Sequence, residues 1–271
     1  MSYYKVLNLE KEPFSTSPDP LFFYRSQSHD SALKRLEITI RLRRGLSVVI
    51  GDVGIGKTTL SRALIQAFKG EENFIFHMIL DPNYKTEFQF LSSLIKMFGT
   101  KPEFRSTLDY KDAIEKYLFQ KGVDENKIIV LLIDEGQKLN ANQLELLRML
   151  LNYETNEYKL LQLVILSQTE LLPRLRKIKN FMDRIALKYI INPLDETETK
   201  EMVTFRLKQA GYDGAESLFT DDAIKLIYEH TQGYPRRISL LCHDCLEALI
   251  MNEEARVSRD LVDKMIQEEV R

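Results

Sequence analysis

The glycine-rich stretch at residues 51–59 constrains this chain more than any other feature. It reads Gly-Asp-Val-Gly-Ile-Gly-Lys-Thr-Thr, which fits the pattern G-x-x-x-x-G-K-[ST], and it stands between an apolar run at 46–50 and a helix-forming segment at 60–68. Glycines let backbone N–H groups approach an anion that a Cβ would hold away, and the N-terminus of the following helix favours negative charge at the same point. The stretch therefore predicts a loop that wraps a polyphosphate.

The side chains of this loop are expected to bind ATP and a magnesium ion. Lys57 is expected to reach the β- and γ-phosphates, and the hydroxyl of Thr58 is expected to hold Mg²⁺. The loop residues predicted to bind the nucleotide are Gly51, Asp52, Val53, Gly54, Ile55, Gly56, Lys57, Thr58 and Thr59.

An acidic pair follows the most hydrophobic stretch of the chain, residues 127–133. At the carboxyl end of a strand, Asp134 can hold Mg²⁺ and its water shell, and Glu135 can orient and deprotonate an attacking water molecule. Acidic residues are also common in turns, so the pair alone would decide nothing. Together with the phosphate loop it predicts ATP hydrolysis.

Strand-like and helix-like segments alternate up to residue 193, and helical segments alone follow. This order predicts an α/β P-loop NTPase core of three layers with a five-stranded parallel sheet at 1–193, then a small all-α lid domain at 194–271. Residues 12–24, rich in proline and aromatic side chains, are expected to be extended and to pack over the surface of the core. The expected strands lie at 46–50, 73–80, 127–133, 160–166 and 187–191.

Composition and charge exclude several classes of protein. Of the 271 residues 44% are hydrophobic and 29% charged, and the net charge is −2, so no global attraction to nucleic acid or acidic membranes is expected. The N-terminus lacks the apolar segment of a signal peptide, and no apolar run approaches the ~18 residues of a membrane span. The chain is therefore expected to be soluble and cytoplasmic, with peripheral association with the inner membrane left open.

Two other classes of phosphate-loop protein fit the sequence poorly. A GTPase would need an Asn-Lys-x-Asp guanine reader, whereas the one Asn-Lys pair, at 126–127, continues with Ile-Ile. A small-molecule kinase would fit a shorter chain with a basic lid inserted in the core, and here the helical part follows the core. An ATPase with a helical lid remains the interpretation.

Further stretches carry a resemblance to a known family. They are Pro13-Phe14-Ser15 with Pro18-Asp19-Pro20, Ile-Asp-Glu-Gly-Gln-Lys-Leu at 133–139, Leu-Leu-Asn-Tyr-Glu-Thr-Asn at 150–156, Leu-Ser-Gln-Thr-Glu-Leu at 166–171, Asp-Arg-Ile at 183–185 and Gly-Tyr-Pro-Arg-Arg-Ile at 233–238. With these and the phosphate loop, the chain resembles, over residues 3–249, the AAA+ ATPases of the ExeA/GspA type, a family associated with type II secretion and related pilus systems. It is more distantly similar to the TnsC-like ATPases of transposons. The family usually has Ala where Gly136 stands, a departure expected to leave the carboxylates undisturbed.

The resemblance implies two sensor residues. At the end of the fourth strand the family keeps a polar residue near the γ-phosphate, and of Ser167 and Gln168 we favour Gln168. Arg236, at the start of a lid helix, resembles the second sensor, which contacts the nucleotide from the helical domain. Its motion with the phosphate would convert hydrolysis into lid rotation.

The resemblance also implies an arginine that acts on the neighbouring subunit's nucleotide. Arg184 precedes the fifth strand, where AAA+ proteins place such a residue, and Arg174 and Arg176 compete for the role. An arginine of this kind stabilises charge on the phosphoryl oxygens in the transition state. The catalytic residues predicted are therefore Glu135, Lys57, Gln168, Arg184 and Arg236.

The partner stays open at this point. The resemblance implies a homo-oligomer, ring or filament, that forms with ATP and acts on a macromolecule. One hypothesis is a motor that assembles a secretion or pilus complex at the envelope, and another is a switch that binds double-stranded DNA through basic clusters and recruits a transposase. A third is a scaffold that binds nucleotide and hardly hydrolyses it. The sequence also leaves open whether the chain is a fragment of a longer membrane-anchored protein or a short soluble relative.

Overall fold

The computed structural model describes residues 3–100, 106–214 and 216–269. Its centre is a sheet of five parallel strands in the order β2-β3-β4-β1-β5. Each strand predicted from the sequence is present, with ends within two residues of the expected ones, so the predicted sheet is confirmed. The strands are β1 Leu46–Ile50, β2 Phe74–Ile79, β3 Ile128–Ile133, β4 Leu161–Ser167 and β5 Ile185–Ile190.

The three central strands explain why the sheet is so clear in the sequence. Every residue of β1, β3 and β4 is buried, as expected for a parallel sheet that is covered on both faces. The edge strand β5 alternates between half-buried and exposed residues. Because the strands are parallel, their carboxyl ends meet at one edge of the sheet, and the segments after β3, β4 and β1 lie side by side there.

The helices that lie between the strands in the sequence pack much of their apolar surface on this sheet. The buried core combines strand residues with side chains such as Phe90, Leu94, Ile114 and Leu147, which are at most 1% exposed. Ser106 and Asn140 form capping boxes at the starts of α5 and α6. The helices are α1 Tyr3–Val6, α2 Gln27–Arg41, α3 Lys57–Ala67, α4 Glu87–Met97, α5 Thr107–Phe119, α6 Ala141–Leu150 and α7 Leu171–Lys177.

Four helices follow β5 and have a core of their own. Phe219, Ile227, Ile238 and Leu246 are at most 1% exposed within it. The chain divides into two compact units, one of which holds residues from 192 onward, the residues up to 28 and the segment Val53–Thr59, while the other holds His29–Asp52 and Leu60–Ile191. The four helices are α8 Glu196–Gln209, α9 Asp221–Thr231, α10 Pro235–Met251 and α11 Arg259–Glu269.

The proline- and aromatic-rich segment before α2 packs differently from the expectation. Phe14 is 1% exposed and makes an edge-to-face contact with Phe219, with ring centroids 6.0 Å apart. The guanidinium of Arg206 on α8 donates from Nη1 to the carbonyl of Ser15 at 3.2 Å and from Nε to that of Phe22 at 3.3 Å. The sequence analysis grouped this segment with the α/β core, whereas these contacts place it with the C-terminal helices, because its aromatic rings complete their core.

Candidate functional site

The glycine-rich loop joins the buried strand β1 to α3, which begins at Lys57. Gly54 and Gly56 have φ of +78° and +103°, in the left-handed region that side chains with a Cβ rarely adopt. The amide N–H of Gly51 donates to the carbonyl of Ser167 at 3.0 Å, which ties the start of the loop to the end of β4. The backbone thus has the glycine-dependent conformation that a phosphate-wrapping loop needs.

The loop side chains differ in exposure. Lys57 is 6% exposed, although a lysine is rarely buried without a role or a partner. Ile55 is buried at 1% exposure, Val53 is 60% exposed, and Gly54, Gly56, Thr58 and Thr59 are half-buried, while Gly51 is buried and Asp52 exposed. A hydroxyl from Thr58 and a carboxylate from Asp134 are oxygen donors of the type Mg²⁺ prefers, so the residues present fit the ion.

The start of α10 packs on the backbone of the same loop. The amide N–H of Arg236 donates to the carbonyl of Gly54 at 3.1 Å. A Cβ added at Gly54 would lie 2.9 Å from the Cβ of Arg236, which is closer than such atoms approach. Gly54 is therefore required by its φ and by this contact, and the structure places Arg236 beside the phosphate loop within one compact unit.

The acidic pair follows β3 at the carboxyl edge of the sheet. Asp134 is 2% exposed, its N–H donates to the carbonyl of Ile79 at 2.8 Å, and its Oδ1 accepts from the N–H of Glu135 at 2.9 Å. Glu135 has φ +52°, a left-handed conformation that costs a non-glycine residue about 1–2 kcal/mol. Strained residues of this kind persist where the surroundings fix them, and they concentrate at functional sites.

Gln137 connects the acidic pair to the end of β4, and the sequence analysis missed it as a site residue. Its Nε2 donates to Oε2 of Glu135 at 2.7 Å. Its Oε1 accepts from Ser167 Oγ and from the backbone N–H of Gln168, both at 3.2 Å. The signals in the sequence were its place two residues after Glu135 and within the 133–139 stretch that carries the family resemblance.

Gly136 is a glycine for a steric reason. A Cβ there would lie 2.4 Å from Cγ2 of Ile165 and 3.2 Å from the carbonyl oxygen of Leu166. The turn after β3 therefore packs directly on β4, and a side chain at 136 would force one of the two to move. An alanine at this position would require the packing to shift, and the expectation that glycine leaves the carboxylates undisturbed stays a prediction.

Of the two sensor candidates at the end of β4, Ser167 is hydrogen-bonded through its side-chain hydroxyl and Gln168 through its backbone. Ser167 is fully buried, and its Oγ lies within hydrogen-bond distance of Oε1 of Gln137 and of the carbonyl of Gln168. The side chain of Gln168 is half-buried. Its role as a sensor stays a prediction.

Arg184 lies at the amino ends of the parallel strands, whereas the acidic pair lies at their carboxyl ends. It directly precedes β5, whose six residues span ~20 Å, and it lines a cavity of about 250 Å³ together with Gly45 and Lys159. Within the described part of the chain, the buried Nε of Arg184 has no hydrogen-bond partner. Burial, followed by the charge of Arg184, lowers the pKa of Lys159. The structure therefore does not bring Arg184 together with Asp134 and Glu135 of its own chain.

The two competing arginines lie on α7. Arg174 donates from Nη1 to the carbonyls of Gln137 at 2.6 Å and Leu139 at 3.1 Å, so its guanidinium is engaged by the turn after β3. Arg176 is exposed in the last turn of the same helix. These contacts give Arg174 a structural task within its own subunit.

Within the described ranges, no helix combines the length and apolarity that a membrane crossing needs.

Comparison with known proteins agrees with this geometry. Residues 40–175 match the family model described as an AAA domain. The chain is 36% identical over 255 residues to the general secretion pathway protein A of Aeromonas hydrophila, a match that covers 91% of this chain and 44% of that protein. The chain thus spans less than half of that relative's length.

Solved structures give the fold independently of close sequence similarity. The Cdc6p structure from Pyrobaculum aerophilum superposes with a TM-score of 0.72 at 16% identity, covering 94% of this chain and 70% of that one. The structure of Drosophila ORC bound to DNA gives a TM-score of 0.70 at 21% identity, covering 96% and 67%. With a family model that matches half of its length and a sheet and phosphate loop of the expected kind, this chain belongs to the AAA domain family and has the AAA+ P-loop NTPase fold.

Proposed function

We propose that this protein binds and hydrolyses ATP. The observation that carries the proposal is that two strands of one parallel sheet are directly followed by nucleotide-site sequences, β1 by the glycine-rich loop and β3 by the acidic pair. The loop has glycines where φ is positive, and the second acid is held in a strained conformation by a hydrogen bond. Both features favour a nucleotide site over two ordinary turns.

The motif residues are assigned roles by their chemistry. Backbone N–H groups of the loop and the ammonium of Lys57 bind the phosphates, while Thr58 and Asp134 would hold Mg²⁺, which would neutralise negative charge on the phosphate oxygens. Glu135 orients the attacking water and accepts its proton. The family resemblance, rather than any contact of their side chains, assigns Gln168 and Arg236 the response to the γ-phosphate.

Arg184 is proposed to act on the nucleotide of a second copy of this chain. Its place at the amino edge of the sheet, with a buried Nε that no described residue satisfies, supports action outside its own subunit. An arginine that completes a site in trans stabilises transition-state charge only in the assembled oligomer. We therefore expect activity per subunit to rise with protein concentration until assembly is complete.

The cycle is proposed to act on a protein partner in an envelope secretion or pilus complex. The support for this finer assignment is the 36% identity to general secretion pathway protein A, which covers under half of that protein. The second hypothesis, a switch that binds DNA, makes a different prediction for salt-dependent assembly.

The first experiment measures turnover of wild type and Glu135→Gln under identical conditions, with ATP affinity measured in parallel. Loss of the base is expected to lower kcat by about 10²- to 10⁴-fold with affinity retained. Unchanged turnover in Glu135→Gln would remove Glu135 from its role, and absence of ATP binding by the folded wild type would end the proposal.

The second experiment follows oligomer size with ATP, with and without double-stranded DNA, at two salt concentrations. Indifference to DNA is expected for the envelope motor. Oligomers that require DNA and weaken with salt would instead support the DNA switch.

A further inference from the structure

Only one of the two carboxylate oxygens of Glu135 accepts a hydrogen bond from the described residues. Its Oε2 accepts the hydrogen bond from Nε2 of Gln137 at 2.7 Å. Its Oε1 accepts no hydrogen bond from the residues that the structure describes. One oxygen therefore fixes the orientation of the group, and the other stays available to a water molecule.

The amide of Gln137 is itself oriented without ambiguity. The backbone N–H of Gln168 can only donate, and it lies 3.2 Å from Oε1 of Gln137. The hydroxyl of Ser167 lies 3.2 Å from the same oxygen. A flipped amide would place its NH₂ group against the N–H of Gln168 and its oxygen against a carboxylate, so the observed assignment is the favourable one.

The segment that carries Gln137 is fixed by contacts on both sides. Gly136 packs against Ile165 of β4 so closely that a Cβ would not fit. On the other side, Arg174 of α7 donates to the carbonyls of Gln137 and Leu139. Because a shift of the turn would disturb β4 or α7, the backbone at Gln137 is held in place. A displacement of the groups bonded to its Oε1 therefore passes through its side chain to the carboxylate of Glu135.

We propose that Gln137 is a positioning residue that orients Glu135 for hydrolysis and couples it to the end of β4. Movement of Ser167 or Gln168 shifts Oε1 of Gln137, and its Nε2 carries the shift to the carboxylate of Glu135. The inference rests on the proposed function, because it assigns Gln137 a task in the same hydrolysis.

The test replaces Gln137 with Met, which keeps the length of the side chain and removes its three side-chain hydrogen bonds. We expect Gln137→Met to lower kcat about 10- to 100-fold while ATP affinity stays within about twofold, because orientation of a catalytic group contributes to the transition state alone. Gln66→Met is the matched control, since Gln66 is exposed on α3. It should leave kcat unchanged.

The split between kcat and ATP affinity separates positioning from a merely structural role. In Gln137→Met the loss should be confined to kcat, because only the orientation of Glu135 changes. A variant that only loosened the fold would lose ATP affinity and thermal stability along with kcat. That outcome would overturn the inference.

A double-mutant cycle completes the test. In a Glu135→Gln background, Gln137→Met should have no further effect on kcat, because the group that it orients is no longer a base. Additive losses, or wild-type kcat in Gln137→Met, would contradict the inference while leaving the proposed function intact. Turnover unchanged by Glu135→Gln would instead contradict the proposed function.

Ser167→Ala provides a second variant should Gln137→Met fold poorly. It removes one of the two donors to Oε1 of Gln137 and leaves Glu135 untouched. We expect a smaller fall in kcat, about two- to fivefold, with ATP affinity unchanged. Wild-type kcat in Ser167→Ala, together with a poorly folded Gln137→Met, would overturn the coupling to β4.

Discussion

The phosphate loop and the turn after β3 both follow a fully buried strand, yet they reach left-handed conformations by different means. The loop uses glycine, at Gly54 and Gly56, where positive φ carries no steric cost. In the turn, Glu135 adopts positive φ despite its Cβ, and its carboxylate accepts a hydrogen bond from Gln137. The first conformation follows from the residue types alone, whereas the second is accompanied by a hydrogen bond from a side chain two residues further along the same turn.

The largest effect is expected in the loop, from Gly54→Ala. The substitution combines positive φ with a Cβ that would lie 2.9 Å from the Cβ of Arg236. We expect ATP affinity to fall about 100-fold, a loss of about 2.7 kcal/mol. Gly70→Ala is the matched control, because Gly70 also has positive φ, +92°, but nothing within 4 Å of the added Cβ. Calorimetric titration of both variants measures the difference, and equal affinities would contradict the assignment of Gly54 to the site.

The next effect concerns the packing of the turn. Gly136→Ala places a methyl group 2.4 Å from Cγ2 of Ile165, and overpacking of this degree costs about 1–3 kcal/mol. Urea unfolding of the variant should show a lower midpoint, and kcat should fall because the turn carries Glu135. Wild-type stability would indicate that β4 and the turn separate easily, which would weaken the contrast between the two regions.

The smallest effect isolates the strain at Glu135. Glu135→Gly and Glu135→Ala both remove the carboxylate, but glycine accepts φ +52° and alanine does not. We expect the glycine variant to be more stable than the alanine variant by about 1 kcal/mol, although glycine normally destabilises a chain. The two unfolding midpoints provide the measurement, and an alanine variant of higher stability would mean that the turn relaxes out of the left-handed region.

The sequence predicted the fold closely because its signals are local. Largely apolar stretches of five to seven residues located β1, β3 and β4, which are buried on both faces. The edge strand was less clear: β5 begins at Ile185, two residues before its predicted start. Its residues alternate between half-buried and exposed, so it lacks the nearly continuous burial of the central strands.

The candidate site was only partly predictable. Lys57, Thr58, Asp134 and Glu135 follow from motifs, and their roles stay predictions until nucleotide binding is measured. Gln137 was missed because its partners, Ser167 and Gln168, lie about thirty residues further along the chain. The local sequence around a glutamine in a turn does not distinguish a solvated side chain from one that is hydrogen-bonded to residues distant in the chain.

The three candidates for the arginine that acts on a neighbouring subunit were likewise distinguished by the structure and not by the sequence. The sequence left Arg174, Arg176 and Arg184 as competitors for one role. The structure gives Arg174 two carbonyl partners in its own subunit and places Arg184 at the amino edge of the sheet. That difference follows from where α7 and β5 lie, which spacing along the chain does not reveal.

The sequence by itself determined the parallel sheet and the conformation of the phosphate loop, because buried runs and glycines act through their own backbone and immediate neighbours. The tertiary structure decided which unit the N-terminal aromatic segment joins, which residues at the end of β4 hold the side chain of Gln137, and which edge of the sheet carries Arg184. These depend on contacts between residues far apart in the chain, whose free energy arises only when the elements pack together.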